Sequence, residues 1–183
     1  MPESCFCQSG RAFSRCCGPY LAGVKPAPTA EALMRSRYSA FCEGNVDYLM
    51  ATHRPPSRDG ASASEQRSSL LKSIQTTQWV NLLIISKQKG QRKDKTGVVE
   101  FVAAYKSAKS GMFKMAQTSS LLSASSSVVE TPEEIAQLHE KSQFVREGEQ
   151  WFYTEGNILP PYQPAQSQLC WCGSGKKYKR CHA

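Results

Sequence analysis

The chain has 183 residues, of which 40% are apolar and 21% charged, with a formal net charge of +8 and eight cysteines. This composition is typical of a globular protein and excludes collagen-like and wholly disordered chains. No apolar run approaches the ~18 residues of a membrane-spanning helix, and the opening MPESCFCQSG lacks the basic and apolar regions of a secretory signal. We therefore expect a cytoplasmic protein without a membrane span. The charge and the cysteines leave two explanations to separate, a basic nucleic-acid binder and a disulfide-bonded secreted protein.

The cysteines crowd the two ends of the chain. Four lie in the first 17 residues and three in the last 14, and only Cys42 lies between them. A disulfide framework would spread its cysteines through the core that it crosslinks. In a reducing compartment, clustered cysteine and histidine more often hold a metal ion.

The two ends are copies of one short motif. CFCQSGRAFSRCC at 5–17 aligns without gaps with CWCGSGKKYKRCH at 170–182, and the last position is cysteine in one copy and histidine in the other. Residues two apart in an extended segment project to the same side, so C-x-C offers two thiolates to one ion, and the Ser-Gly step lets the chain turn back. The final pair completes a closed set of four zinc ligands. The predicted ligands are Cys5, Cys7, Cys16 and Cys17 in one site and Cys170, Cys172, Cys181 and His182 in the other.

Helices are predicted after a proline-rich linker, KPAPT. The first begins at Ala30 with Thr29 as its N-cap and ends at Gly44. The second begins at Asn45 and ends before a Pro-Pro pair, and the third covers about 64–75.

Strands follow the helices, which makes the middle of the chain α+β with an antiparallel meander. A basic loop, QKGQRKDKTG, joins the first two strands, and a Ser-rich insertion at about 107–136 precedes the last two, which are joined by a tight turn at 147–149. The predicted strands are Trp79–Ser86, Val98–Tyr105, Leu138–Arg146 and Gln150–Glu155.

The C-terminal CWCGSGKKYKRCHA resembles the SEC-C motif, the zinc module at the C-terminus of the SecA translocation ATPase. Only Trp171 departs from that pattern, at a position where proline is usual. In SecA the module binds the chaperone SecB, so the resemblance implies an acidic protein partner. The alternative is that the basic run is a solvated face. The residues that would meet such a partner are Lys176, Lys177, Lys179 and Arg180.

The N-terminal copy is more divergent, with Gln8 for the first glycine of the motif and Arg11-Ala12 for the lysine pair. These changes keep the ligands but alter the surface that a shared partner would meet. The chain also lacks the phosphate-binding loop of an ATPase, so no motor activity is expected.

Three further segments resemble the YchJ family: LMRSRYSAF at 33–41, DYL at 47–49 and HxxSxFVxxxxxWFYxxG at 139–156. The resemblance implies SEC-C modules around a cone-shaped cystatin-like domain, of the type shared with nuclear transport factor two, in which three helices lie on a curved antiparallel sheet. The expected organisation is an N-terminal zinc module at 1–20, a middle domain at 24–160 and a C-terminal zinc module at 167–183.

A cone of this kind can enclose a small-molecule pocket or be filled by its own side chains. The candidate pocket residues are Arg35, Tyr38 and His53, with Arg37, Asp47 and Glu140 as further polar candidates. Because Arg35 and Tyr38 lie one turn apart, they are expected to share a helix face from which Arg37 points away. The structural alternative is that Arg35 forms an ion pair and Tyr38 is a core residue.

No catalytic grouping is apparent, which favours a role other than catalysis. The leading hypothesis is a zinc-binding interaction or adaptor protein whose partner belongs to the chaperone, translocation or translation machinery. The first alternative is a small-ligand binder or enzyme that uses the cone. The second, nucleic-acid binding, is disfavoured because residues 130–155 hold seven acids against two bases.

Overall fold

The computed structural model describes residues 4–55, 62–107 and 135–183 and confirms the α+β class. Four helices precede a four-stranded antiparallel sheet, and each end of the chain carries one turn of 3-10 helix, at Phe13–Arg15 and Tyr178–Arg180. The helices are α1 Gly18–Leu21, α2 Ala30–Glu43, α3 Val46–Ala51 and α4 Ala63–Thr76, and the strands are β1 Thr77–Lys89, β2 Thr96–Ser107, β3 Ala136–Glu147 and β4 Gln150–Ile158.

Side-chain caps fix the starts of the three longer helices. Thr29 accepts a hydrogen bond from the Ala32 N–H at the start of α2, as predicted, and Asn45 accepts one from Tyr48 at the start of α3. The α4 helix begins with a capping box in which Ser62 and Glu65 satisfy each other's backbone N–H groups. Helix α2 ends at Gly44, whose left-handed backbone (φ 74°) stops the helix.

The strands pair in chain order, β1-β2-β3-β4, and each is longer than its predicted segment. The β1–β2 ladder continues to Lys89 opposite Gly97, into the loop that the sequence assigned to connecting structure. Polar side chains are compatible with strand pairing where one face of the ladder meets solvent. The prediction ended β1 where the polar residues begin, and therefore placed the end of the strand too early. The Ser-rich insertion predicted at about 107–136 lies almost entirely outside the described residues.

Strand β2 is buried on both faces. Val99, Phe101 and Ala103 point into the main core, whereas Val102 and Ala104 point to the opposite side of the sheet and are equally buried. This alternation follows from the two-residue period of a strand. The sheet therefore has two apolar faces that both need a cover.

The concave face is covered by the helices together with the N-terminal end of the chain. Leu33 and Met34 of α2 pack in one cluster with Phe13 and the four N-terminal cysteines, and with Phe144 and Trp151 from the sheet. The N-terminal segment is thus part of the main core.

The opposite face is covered by the C-terminal end of the chain. Trp171 packs on Val102 and Ala104, and the Asn81 side-chain amide of β1 donates a hydrogen bond to the Trp171 carbonyl oxygen at 2.8 Å. Gly173 lies so close that a Cβ there would be 2.9 Å from Asn81, and its φ of +80° also favours glycine. Among the described residues, no helix is long and apolar enough to cross a membrane.

We expect Asn81→Ala to loosen the C-terminal end of the chain without unfolding the sheet. The variant loses one hydrogen bond across the docking surface, worth about 1 kcal/mol, so amides at 170–182 should exchange roughly fivefold faster. Hydrogen exchange measured by mass spectrometry tests this, with Gln88→Ala, an exposed position of the same strand, as the control. Unchanged exchange at 170–182 would contradict the docking described above.

Candidate metal centres and central cavity

The structure brings together two groups of four potential metal ligands. In each group all the ligand atoms lie within 4.8 Å of one another. One group is Cys5, Cys7, Cys16 and Cys17, and the other is Cys170, Cys172, Cys181 and His182. These are the eight residues selected from the sequence repeat.

The spacing within the N-terminal group fits a tetrahedral ion. The Cys7 and Cys16 sulfurs are 3.6 Å apart, and those of Cys16 and Cys17 are 3.9 Å apart. A tetrahedron with metal–sulfur bonds of about 2.3 Å has edges of about 3.8 Å. The four thiols could therefore hold one such ion without rearrangement.

The C-terminal group fits in the same way, with one nitrogen ligand. The Cys172 and Cys181 sulfurs are 3.6 Å apart, and the Cys170 sulfur is 3.2 Å from His182 Nδ1. The His182 ring lies against the Trp171 ring, with 4.6 Å between centroids. The indole thus helps to hold the imidazole beside the three sulfurs.

The two modules share their backbone geometry as well as their ligands. The Cys5 N–H donates to the Arg11 carbonyl oxygen at 2.8 Å, and the Cys170 N–H donates to that of Lys176 at 2.8 Å. In the N-terminal copy the position of Gly173 is taken by Gln8, which adopts a positive φ of 59°. The fold of the motif therefore persists even where a glycine has been lost.

Crowding of the sulfur atoms controls their protonation. Hydrogen bonding to Cys5 and Cys7, together with burial, raises the pKa of the Cys17 thiol far above its usual range. Burial raises the pKa of Cys170 to about 11. Four neighbouring sulfurs cannot all lose their protons unless a cation lies among them, so complete deprotonation and metal binding are one event.

The surroundings of the two groups differ. All four N-terminal sulfur ligands are buried, and the Cys5 sulfur lies 3.7 Å from the Ser39 hydroxyl of α2. In the C-terminal group His182 is exposed and Cys181 is half-buried. The first centre thus belongs to the main core, and the second lies at the surface.

The structure corrects the assignment of Arg35 to the pocket, bears out the alternative that Arg35 forms an ion pair, and corrects the direction expected for Arg37. Arg35 does not line the central cavity, because its guanidinium donates to the Cys7 carbonyl oxygen at 2.7 Å and pairs with Glu31 at 2.9 Å. Arg37, expected to point elsewhere, lines the cavity. The reason is that α2 is buried on two sides, against the sheet and against the N-terminal module, so its residues face two different environments.

Glu31 links this contact to the sheet. Burial acts to raise the pKa of this carboxyl, but hydrogen bonds from Lys87 of β1 and from Arg35 lower it more, so the net shift is downward. Glu31 is therefore held ionised between α2 and β1. Of the other predicted polar residues, Asp47 lies outside the cavity and pairs with Arg67 of α4 at 2.6 Å.

A cavity of about 460 Å³ lies between α2, α4 and the concave face of the sheet. Tyr38 and His53 line it, as does Glu140 from β3. Much of its wall is aromatic or aliphatic. These apolar lining residues are Met34, Phe41, Leu49, Leu70, Trp79, Phe101, Ala103, Leu138, Phe144 and Tyr153.

The polar groups of the cavity are held in place by hydrogen bonds. Arg37 donates through Nη1 to the Leu49 carbonyl oxygen at 2.8 Å and to the Thr52 hydroxyl at 2.7 Å. Glu140 accepts on Oε1 from Ser142 at 2.6 Å and from the Tyr153 hydroxyl at 3.3 Å. The sequence named Arg37 as a candidate but predicted the wrong direction for it, and it gave no signal for Ser142 beyond a polar residue within a strand.

Two further residues complete the electrostatics of this region. Burial, and secondarily the charge of Arg37, lower the pKa of His53, so its neutral form is favoured. Cys42, outside both metal-ligand groups, is half-buried, and burial raises the pKa of its thiol to about 12. Neither side chain adds a charge to the cavity near neutral pH.

The basic residues predicted to meet a partner lie at the surface of the C-terminal module. Lys176, Lys177, Lys179 and Arg180 are all exposed, and within the described residues none of the four forms an ion pair.

Comparison with known proteins identifies the family. The model "YchJ, middle NTF2-like domain" matches residues 29–156, and the SEC-C motif matches residues 1–19 and 167–183. The chain belongs to the YchJ family. Similar curated proteins of this family are each called a UPF0225 protein. One from Serratia proteamaculans is 35% identical, covering 99% of this chain and 98% of its own. One from Photorhabdus laumondii is 38% identical, covering 99% of both.

Two solved structures resemble most of the chain. A SEC-C motif containing protein from Rhodopseudomonas palustris matches with a TM-score of 0.63 and 26% identity over 86% of this chain and 99% of its own. One from Psychrobacter arcticus matches with a TM-score of 0.59 and 26% identity over 98% of this chain and 94% of its own. The NTF2-like, cystatin-type middle domain between two SEC-C modules, expected from the resemblance, is confirmed.

Loss of a metal ligand should affect the two centres unequally. We expect Cys17→Ser to lower the melting temperature by roughly 10 °C, because it breaks a centre inside the main core and costs about 3 kcal/mol or more. The matched exchange Cys181→Ser should have a much smaller effect on the melting temperature. Thermal denaturation followed by circular dichroism measures both, and equal losses would contradict the assignment of the N-terminal centre to the core.

Proposed function

We propose that this protein is a zinc-dependent adaptor, in which two zinc ions hold the SEC-C modules on the middle domain and the C-terminal module recognises an acidic protein partner. The observation that carries the proposal is the orientation of the C-terminal module. Cys170, Cys172 and Trp171 are buried against the sheet, whereas the four basic side chains of the module are exposed without ion-pair partners in the described structure.

Zinc is the ion that best suits both centres. Sets of four cysteines, or of three cysteines and one histidine, at tetrahedral spacing are typical of structural zinc sites with no open position for a substrate. Zinc has no redox chemistry of its own, so its role here would be to fold and fix each module. Residues 1–20 and 167–183 would then be zinc modules around a middle domain at 24–160, with Cys5, Cys7, Cys16 and Cys17 and Cys170, Cys172, Cys181 and His182 as the ligands.

The charge of the two modules favours a division of roles. The N-terminal module has Arg11-Ala12 where the C-terminal one has Lys176-Lys177, and its inner side is occupied by contacts with α2. The C-terminal module keeps its basic run at the surface. A cluster of unpaired cations steers and holds an acidic surface, and such binding weakens with salt.

The class of partner is proposed from the resemblance of the tail to the SecA module. An acidic component of the chaperone, translocation or translation machinery would fit a basic zinc module of this kind. In this role the protein would work in the cytoplasm as a non-catalytic adaptor.

Metal analysis tests the first half of the proposal. Protein purified without added metal should contain about two zinc ions per chain, because each group offers four ligands at tetrahedral spacing. Cys17→Ser and Cys181→Ser should each reduce the content to about one. Inductively coupled plasma mass spectrometry measures the element and the ratio, and iron or an absence of metal would contradict the zinc assignment.

Charge reversal tests the second half. We expect the fourfold variant in which Lys176, Lys177, Lys179 and Arg180 are replaced by Glu to lose capture of acidic proteins from a bacterial lysate. Quantitative mass spectrometry of proteins captured by the immobilised full chain would measure this. The captured proteins should also elute with moderate salt, since the contact is electrostatic.

A matched variant controls for the change in net charge. Replacing Lys89, Arg92, Lys93 and Lys95 of the β1–β2 hairpin by Glu alters four exposed charges elsewhere on the molecule. This control should capture the same proteins as the unmodified chain. If the tail variant also retains them, or if both variants lose them equally, the tail is not the recognition surface.

A further inference from the structure

The central cavity contains a buried cation that the protein itself only partly satisfies. Arg37 is 9% exposed and forms no ion pair within the described residues. Burial lowers the pKa of its guanidinium to about 10, so it remains charged at neutral pH. A buried charge is destabilising unless an opposite charge pairs with it, so a ligand of negative charge would stabilise Arg37.

The hydrogen bonds of Arg37 leave part of its guanidinium available. Both bonds that it donates in the described structure start at Nη1, to Leu49 and Thr52. The Tyr153 ring lies against the group, 4.8 Å from its central carbon, and supports the charge through its π face. Nε and Nη2 donate no hydrogen bond in the described structure, and together they form the planar fork that suits a carboxylate.

Glu140 does not supply this missing partner. It lies on the cavity wall and helps to keep Arg37 charged, but no ion pair joins the two. The bonds from Ser142 of β3 and Tyr153 of β4 to its Oε1 hold its carboxylate across these two strands. Trp79, another lining residue, also has an unsatisfied polar group. Its Nε1–H is buried without a hydrogen-bond acceptor in the described structure.

The rest of the cavity sets the chemical class of the occupant. Its volume of about 460 Å³ lies in the range of small-molecule sites, and its walls are largely aromatic and aliphatic. Arg37 is its only arginine or lysine among the described lining residues, and His53 favours its neutral form. Two carboxylates also line it: Glu140, and Glu65 at the exposed start of α4, where bonds to Ser62 lower its pKa. With one cation against two carboxylates, the described lining disfavours a dianionic phosphate, and a single negative group is accommodated only beside Arg37, with an apolar body against the aromatic wall.

We propose that this cavity binds an apolar or aromatic monocarboxylate, with the carboxylate on Nε and Nη2 of Arg37 and the apolar body between Trp79, Phe41 and Phe101. The site is independent of the proposed adaptor role, since it lies on the face of the sheet opposite the C-terminal module. It would give the protein a small-molecule ligand besides its protein partner.

Binding to the metal-loaded full chain tests the proposal. The probes are benzoate, naphthoate and octanoate, each compared with the alcohol of the same carbon skeleton and with the matching phosphate monoester. We expect at least one carboxylate to bind saturably and about tenfold or more tightly than its alcohol, because a charged hydrogen-bonded pair contributes that much. Isothermal titration calorimetry and ligand-observed NMR measure the affinities.

Two variants locate the binding. Ser73→Leu fills the cavity from α4 without removing any described hydrogen bond and should abolish binding, whereas Gln75→Leu, on the exposed side of the same helix, should not. Arg37→Gln should bring the carboxylate and alcohol affinities to within about twofold of each other. If Arg37→Gln fails to fold, Ser73→Leu still decides whether the cavity is the site.

Several outcomes would overturn the proposal. They are an absence of saturable binding by every carboxylate, equal binding of the alcohols, tighter binding of the phosphates, and binding that survives Ser73→Leu. Because none of these measurements involves the basic tail, their failure leaves the adaptor proposal untouched, and failure of the tail variant leaves the cavity untouched.

Discussion

The arrangement of this protein depends on the need to cover both faces of the sheet at strand β2. Strand β2 buries Phe101 on one side and Val102 on the other, so neither face of the sheet can be left to solvent. The helices and the N-terminal module cover the concave face, and the C-terminal module covers the opposite one. Each module is about 15–20 residues long and too short to fold on an apolar core of its own, so its docking on the sheet must stabilise it, together with any metal ion that its four ligands hold.

The sequence repeat made the two metal-ligand groups predictable. The spacing of the ligands at 5–17 recurs 165 positions later at 170–182, and the two copies offer the same kind of ligand set. The helix cap at Thr29 was predictable for a local reason, since a cap depends on a few neighbouring residues. The faces of α2 were not predictable. Helical periodicity placed Arg35 on the same face as Tyr38. It could not show that the N-terminal module would pack against α2, so that the Arg35 guanidinium donates a hydrogen bond to the Cys7 carbonyl oxygen, 28 residues upstream. Which buried arginine reaches the cavity is a property of tertiary packing.

The strand ends show a second limit of sequence reasoning. Lys89 and Gly97 pair at the end of the β1–β2 ladder although their segment is polar and carries several charges. An isolated segment of that composition favours a loop, and the pairing is imposed by the apolar residues further along both strands. Local propensity is a weak guide where neighbouring contacts fix the register. The interior of each element was therefore easier to predict than its boundary.

The shared backbone of the two modules has a consequence for how the sequence can change over time. Because Gln8 holds the same left-handed turn as Gly173, the motif tolerates replacement of that glycine once the surrounding contacts fix the turn. Because there are two copies, one can pack in the main core while the other keeps an exposed outer surface. Substitutions in the first copy are filtered by their fit against α2, and those in the second by their fit against Asn81 and by what its outer surface meets. The two copies thus meet different structural demands within one chain.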